Sequence, residues 1–146
     1  SKTMKDDSWI DIRDPESNLS RLLMNLAGLK DIIAFDVYVD DFRNVIGTTG
    51  LYRYKADAHE AVWLTWFCVL PKARGQGIGQ ALIDHTVAKA RDAGFSRIRL
   101  YTSTNPNEAA AQRLYEKNGF REIGRKKGLF ETTIYREKIL QSRKQE

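Results

Sequence analysis

The sequence has little of what would set it apart from ordinary globular chains. Its one cysteine, Cys68, excludes an internal disulfide framework. Because Cys68 lies in an apolar run, it is expected to be a small buried hydrophobe. No apolar stretch approaches the roughly 18 residues needed to cross a bilayer, and no charged-then-apolar leader opens the chain. Repeats, linkers and low-complexity segments are also missing. Together these absences argue against a membrane partner and point to a reducing, cytoplasmic setting.

What remains is 146 residues, 42% hydrophobic and 29% charged, enough for one packed core. A single domain over residues 9–140 is expected, with polar tails at 1–8 and 141–146. The polar start also suits a piece cut from a longer protein. Lysine and arginine exceed aspartate and glutamate by 24 to 19, giving +5. Such a balance suits an anionic ligand. It does not by itself separate a phosphorylated small molecule from nucleic acid. Nucleic-acid binding would call for a dense basic face interleaved with exposed aromatics. Here the basic residues are scattered, and Trp63, Trp66 and Phe67 sit in an apolar strand, so no nucleic-acid partner is expected.

Periodicity places the elements. Trp9–Arg13 reads as a short strand. Asp14 and Pro15 open a helix whose Leu19, Leu22, Leu23 and Leu26 fall on one stripe, closed by Gly28. Alternation predicts strands at Ile33–Val39 and Val45–Tyr54. Ala61–Leu70 is apolar on both faces, as expected of a central strand covered above and below. Pro71 stops it. A helix follows over Ile78–Ala93, then a strand at Arg97–Thr102. Asn105 and Pro106 begin a further helix, with Glu108 placed to reach back as in a capping box, and Asn118-Gly119 ends it. Two last strands, near Phe120–Gly124 and Phe130–Leu140, flank a basic turn at Arg125-Lys126-Lys127-Gly128. The order is that of a mixed α/β domain.

The chemically informative stretch is Val69-Leu70-Pro71-Lys72-Ala73-Arg74-Gly75-Gln76-Gly77-Ile78-Gly79, where a central strand runs through a loop into a helix. A helix N-terminus leaves backbone N–H groups unpartnered and carries about half a positive charge. Glycines at 75, 77 and 79 permit close approach and the positive φ angles of an anion nest. Arg74 adds a fixed charge. The loop suits a phosphate or pyrophosphate. It is not a nucleotide P-loop, because Gly79 is followed by Gln80-Ala81 rather than Lys-Ser/Thr. It is not a dinucleotide fingerprint either, because the third glycine position falls on Gln80 or Leu82.

Arg74-Gly75-Gln76-Gly77-Ile78-Gly79 resembles the R/Q-x-x-G-x-G/A signature of the GNAT (GCN5-related N-acetyltransferase) superfamily, preceded by Val69-Leu70-Pro71 in place of its Val-x-Pro strand end. Further on, Leu114-Tyr115-Glu116-Lys117-Asn118-Gly119-Phe120 is similar to the family's second hallmark, a helix ending in L-Y-E-K-x-G-F. The resemblance implies the GNAT acyl-CoA N-acyltransferase fold: a mixed, mostly antiparallel sheet with helices on both faces and two splayed central strands, here Ala61–Leu70 and Arg97–Thr102. It implies that acetyl-CoA lies in the gap, with no metal. Main-chain groups of Phe67, Cys68 and Val69 would hold its pantetheine arm, and Arg74, Gly75, Gln76, Gly77, Ile78, Gly79 and Gln80 its pyrophosphate.

By the same resemblance Tyr115 protonates the departing thiolate, a role suited to a phenol that stays protonated at neutral pH. A main-chain N–H polarises the thioester, and an amine attacks directly, so Cys68 is not expected to be a nucleophile. The chain departs from the family in three places. Glu108 stands where an asparagine is common, with Asn107 or Asn105 as substitutes. Leu64 stands where several members carry a glutamate base, leaving Glu60 or His59 as candidates. One helix rather than two precedes the first long strand, so the acceptor amine, of a small molecule or a peptide, is not specified. The basic turn at Arg125–Lys127 is read as a solvated tip and His85 as an ordinary helix-face residue. A non-catalytic acyl-CoA-binding module is the alternative function, and a homodimer is left open.

Overall fold

The computed structural model describes residues 9–11 and 28–141. The helix expected between Asp14 and Gly28 lies outside the described residues. The described elements are β1 (Trp9–Asp11), β2 (Leu29–Val39), β3 (Val45–Tyr54), β4 (Ala61–Val69), α1 (Ile78–Asp92), β5 (Arg97–Ser103), α2 (Ala109–Lys117), β6 (Arg121–Lys127) and β7 (Thr132–Ile139). They build one seven-stranded sheet in the order β1-β2-β3-β4-β5-β7-β6. Every neighbouring pair is antiparallel except β4 with β5.

That parallel pair is short. Ala61, Val62 and Trp63 face Arg97, Ile98 and Arg99, and the pairing then stops although both strands continue. The reason lies on the other side of β4. Against β3 the register jumps between Thr48↔Cys68 and Gly50↔Thr65, which leaves Trp66 and Phe67 opposite a single residue. This is a β-bulge, and a bulge bends and overtwists its strand. Trp66 takes φ +48, a left-handed conformation unusual for an indole-bearing residue. Its carbonyl accepts a hydrogen bond of 2.5 Å from the Thr48 hydroxyl. Its ring lies over Gly50, where an added Cβ would sit 2.8 Å from Cε3. Two sequence features thus hold the bend, a glycine that makes room and a threonine that ties the carbonyl.

The bulge also changes how β4 is covered. Ala61, Val62 and Leu64 are buried, as a central strand requires, but Trp66 is 44% exposed. Cys68 is exposed too. The expectation of a strand covered on both faces therefore holds for the first half only, and Cys68 is not a core residue, because the second half is turned toward an open cleft.

Both described helices pack on one face of the sheet. Ile83, Val87 and Ala90 of α1 and Tyr115 of α2 meet Leu51, Val62, Leu64, Ile98 and Leu100, with Phe120 in the same core. Alternation along the strands sends their neighbours, Tyr52, Tyr54, Trp63, Arg99, Tyr101 and Tyr135, to the opposite face. The expected basic turn moves. Arg125, Lys126 and Lys127 belong to edge strand β6, pairing with Ile134, Thr133 and Thr132, and Arg125 is ion-paired with Glu122. The turn falls instead on residues 128–131.

His85 is not an ordinary helix-face residue. It and Lys89, one turn apart on α1, both reach Asp36 of β2, at 2.9 and 2.6 Å from Oδ2. Asp36 is only 2% exposed. Burial opposes its ionisation, but hydrogen bonds from His85 and Lys89 and their charges outweigh it, so the carboxyl titrates below its usual value of 3.8. Beside this cluster the buried hydroxyls of Thr49 and Thr86 meet at 2.6 Å. These polar links fix α1 against β2 and β3, and so fix the helix end that the cleft uses.

Asp36→Asn is expected to lower the unfolding free energy by about 1–3 kcal/mol, the cost of leaving buried partners imperfectly satisfied. A folded value below the unfolded one means that Asp36 adds stability above pH 3.8. That stability is lost as the pH falls through the lower folded value. Urea titrations between pH 7 and 2 should therefore show a flatter acid limb for the variant than for the native chain.

Candidate active site

The parting of β4 and β5 opens a cleft of about 310 Å³. One wall is the second half of β4, with Phe67, Cys68 and Val69. The loop after β4 and the first turn of α1 form its mouth, through Ala73, Arg74, Gly75, Gly77, Ile78 and Gly79. The far wall is Asn107, Glu108, Ala110, Ala111, Leu114 and Tyr115. Past Trp63 the β4 edge that faces β5 has no strand partner among the described residues, so main-chain groups there are available to an extended ligand.

The mouth is electropositive by construction. Gly77 is the N-cap of α1 at φ 79; no side chain caps the helix and no acidic residue stands in its first turn. The first helical N–H groups therefore point outward unneutralised. Gly75 and Gly77 take φ +77 and +79 in open space, the conformation that side-chain-bearing residues resist. Gly79 differs from the expectation. Its φ is not positive, and its role is close packing, since an added Cβ would lie 3.1 Å from Leu114 Cδ2. The Arg74 Nε–H donates to the Val69 carbonyl at 3.1 Å, which swings the guanidinium back over the strand end and takes up that carbonyl.

Tyr115 stands against Phe67, ring centroids 5.7 Å apart, and against Phe120 at 5.9 Å. It is 6% exposed. Burial pushes its phenol above the usual value of 10.0, with the nearby Glu108 carboxylate adding to the effect and Arg136 opposing it. The hydroxyl therefore keeps its proton across the neutral range. Glu108 is itself anchored by the Ser103 N–H at 2.6 Å and by the Ser103 hydroxyl. It reaches back past the helix start to β5, and the Asn105 N–H is taken by the Ser103 hydroxyl instead, so the expected capping box does not form. A short 3-10 turn, Pro106–Glu108, precedes α2.

The structure brings most of the sequence candidates together and separates some. Phe67, Cys68, Val69, Arg74, Gly75, Gly77, Ile78, Gly79, Asn107 and Tyr115 all line the cleft. Gln76 and Gln80 are not among the lining residues. The Gln80 side chain instead bonds Asp84 and Asn118, tying α1 to the end of α2. Asn105 acts as a helix cap, accepting from the Asn107 N–H at 2.9 Å and donating to Glu131 at 2.8 Å. Glu60 is placed away from the cleft. It precedes the paired end of β4 and binds Arg99 at 2.8 Å, which holds its carboxyl below the usual range. Ala73, Glu108, Ala110, Ala111 and Leu114 complete the lining. Those on α2 were legible as one face at helical spacing, and the two alanines are small enough to leave the cleft its width.

A family profile described as an acetyltransferase (GNAT) domain matches residues 33–122. No curated protein sequence matches the chain. Among solved structures, the chain is similar to a GNAT family acetyltransferase from Elizabethkingia anophelis with acetyl-CoA bound. That likeness has a TM-score of 0.67 at 18% identity, covering 92% of this chain and 99% of the other. An IAA acetyltransferase from Bacillus cereus gives a TM-score of 0.69 at 18% identity, covering 90% and 98%. A GNAT family acetyltransferase from Staphylococcus aureus gives 0.62 at 25% identity, covering 74% and 68%.

The glycines at the mouth should respond differently to substitution. Gly77→Ala is expected to cost about 1–2 kcal/mol of stability through left-handed strain. Gly79→Val is expected to cost about 1–3 kcal/mol through overpacking against Leu114. In a double-mutant cycle read by chemical denaturation, Leu114→Ala should relieve the Gly79 substitution and leave the Gly77 penalty unchanged.

Proposed function

The chain belongs to the GNAT acetyltransferase family, and we propose that it is an enzyme passing the acetyl group of acetyl-CoA directly to an amine. One observation carries this reading: an open β4 edge, an uncapped helix N-terminus and a protonated tyrosine line one cleft. Each matches a part of the same extended donor.

The donor's chemical features match the residues present. A pyrophosphate suits the amides that open α1 around Gly75 and Gly77, with Arg74 adding charge at the mouth. A pantetheine arm, with its two amides, suits the edge of β4 at Phe67–Val69 that lacks a strand partner, where Arg74 already occupies the Val69 carbonyl. When bound, acetyl-CoA supplies an activated acyl thioester. The main-chain N–H groups beside the Trp66 bulge are the donors for polarising its carbonyl. Tyr115 holds a proton at the inner end of the cleft and gives it to the leaving sulfur as general acid. Phe67 and Leu114 keep water from that end. Among the described residues no group of acidic, histidine or cysteine side chains suits a metal ion, and none of these roles needs one.

Calorimetric titration with acetyl-CoA is expected to give micromolar binding that Gly75→Ala/Gly77→Ala weakens at least tenfold. No binding by the native chain would overturn the reading. Tyr115→Phe should leave the cofactor affinity nearly unchanged while lowering kcat, by roughly 10²–10⁴ if the general-acid role is complete. The native pH profile should show no fall assignable to Tyr115 below its unperturbed value of 10.0, because burial moves that limb upward.

A further inference from the structure

An amine that takes an acyl group must lose a proton as its nitrogen bonds to the acyl carbon, and a group close by has to accept it. Neither His59 nor Glu60 lines the cleft. Of the side chains that do, four are of titratable type: Cys68, Arg74, Glu108 and Tyr115. A guanidinium does not give up its proton, and burial holds the Tyr115 phenol protonated. Among these chemical types only a carboxylate accepts a proton readily at neutral pH.

Glu108 is fixed through one oxygen and open through the other. Its Oε2 accepts from the Ser103 N–H at 2.6 Å and from the Ser103 hydroxyl. Oε1 has no hydrogen-bond partner among the described residues. It is not sealed off, because Glu108 is only partly buried and stands on the cleft wall. Nor is its charge spent. Glu60 and Glu116 are taken by Arg99 and Arg136, whereas Glu108 has no ion pair among the described residues.

Its place relative to Tyr115 follows from the helix. Glu108 is the N-cap of α2, and seven residues, two helical turns, bring Tyr115 to the same side. Helical side chains lean toward the N-terminus, so the phenol reaches back toward Glu108 across a rise of about 10 Å. The carboxylate is felt there. After burial it is the next cause that holds the phenol above its usual value, with Arg136 opposing.

We propose that Glu108 is the general base of the transfer, its Oε1 taking the proton from the acceptor nitrogen. The inference rests on the acetyltransferase reading and supplies the proton acceptor that Tyr115 cannot be. An amine arriving as ammonium first releases its extra proton to solvent. The neutral amine's lone pair then forms the N–C bond at the acyl carbon, and the C=O π pair moves onto oxygen. Glu108 Oε1 takes one N–H proton. As the carbonyl re-forms, the C–S bond breaks with its electron pair on sulfur, and sulfur takes the Tyr115 proton. The proton on Glu108 passes to the Tyr115 oxygen, directly or through one water, and restores both groups. One amine and one thioester have become one amide and one thiol, with no net proton gained or lost. Ser103 is a positioning residue, since its two donors occupy Oε2 and leave Oε1 to the substrate.

Thiol release from acetyl-CoA with propylamine as the probe acceptor, beside calorimetric affinity for acetyl-CoA, tests this on the whole chain. Glu108→Gln keeps the shape and an oxygen for Ser103 but removes the proton acceptor. It should lower kcat at least a hundredfold while the acetyl-CoA Kd stays within threefold of native. Glu108→Ala should lose as much. Sodium formate should then restore its rate at least tenfold over sodium chloride at equal ionic strength, because a small carboxylate can enter the vacated space. A helix cap without a proton-transfer role would show no such rescue. Glu108→Gln turnover within threefold of native, or a folded Glu108→Ala variant that formate does not accelerate, would overturn the proposal and leave the acetyltransferase reading standing. No acetyl-CoA binding by the native chain, or binding without thiol release above the uncatalysed rate, would overturn both.

Discussion

Two parallel strands that pair over three positions and then part are the constraint on which the rest of this molecule depends. Continuous pairing of β4 and β5 would close the sheet and leave nothing between them. The bulge at Trp66 and Phe67 prevents it by bending β4 on the β3 side. Gly50 and Thr48 hold that bend, one by lacking a side chain under the indole and the other by bonding the Trp66 carbonyl. Residues of β3 therefore shape a cleft they do not line.

The opening has two faces, and they differ in charge. On the helix side, the uncapped start of α1 and the nearby Arg74 make an electropositive mouth. On the other side, aromatic rings lie over a network with one carboxylate in excess. Between the two stands the strand whose edge is free past Trp63.

Rigidity comes from elsewhere. The position of α1 is fixed by Asp36 with His85 and Lys89, by the paired hydroxyls of Thr49 and Thr86, and by Gln80 bonded to Asn118 at the end of α2. The cleft's far wall is fixed in the same way by Glu108 on Ser103 and by Arg136 of β7, which bonds Gln112, Glu116 and the Phe120 carbonyl. Polar groups in these places orient helices that apolar packing alone would leave free to slide. Tyr115, the residue with the most exacting position, sits where both helices and the core meet.

Local chemistry was legible in the sequence. Gly75 and Gly77 announce positive φ, Pro71 ends a strand, Asn105 and Pro106 start a helical turn, and the spacing from Asn107 to Tyr115 lays one face along a cleft. Each depends on residues a few positions apart, whose conformational preferences their side chains declare. Tertiary structure alone decided what depends on partners far along the chain. It turned Cys68 outward, drew Glu60 to Arg99, made Gly79 a packing contact rather than a turn, moved Arg125–Lys127 into a strand and gave His85 a buried carboxylate. Above all it set the register of β3 on β4. A one-residue shift there costs little in local preference but reverses the faces of everything beyond it. That is why a run of apolar residues that reads as a buried strand becomes, past Trp66, the wall of an open site.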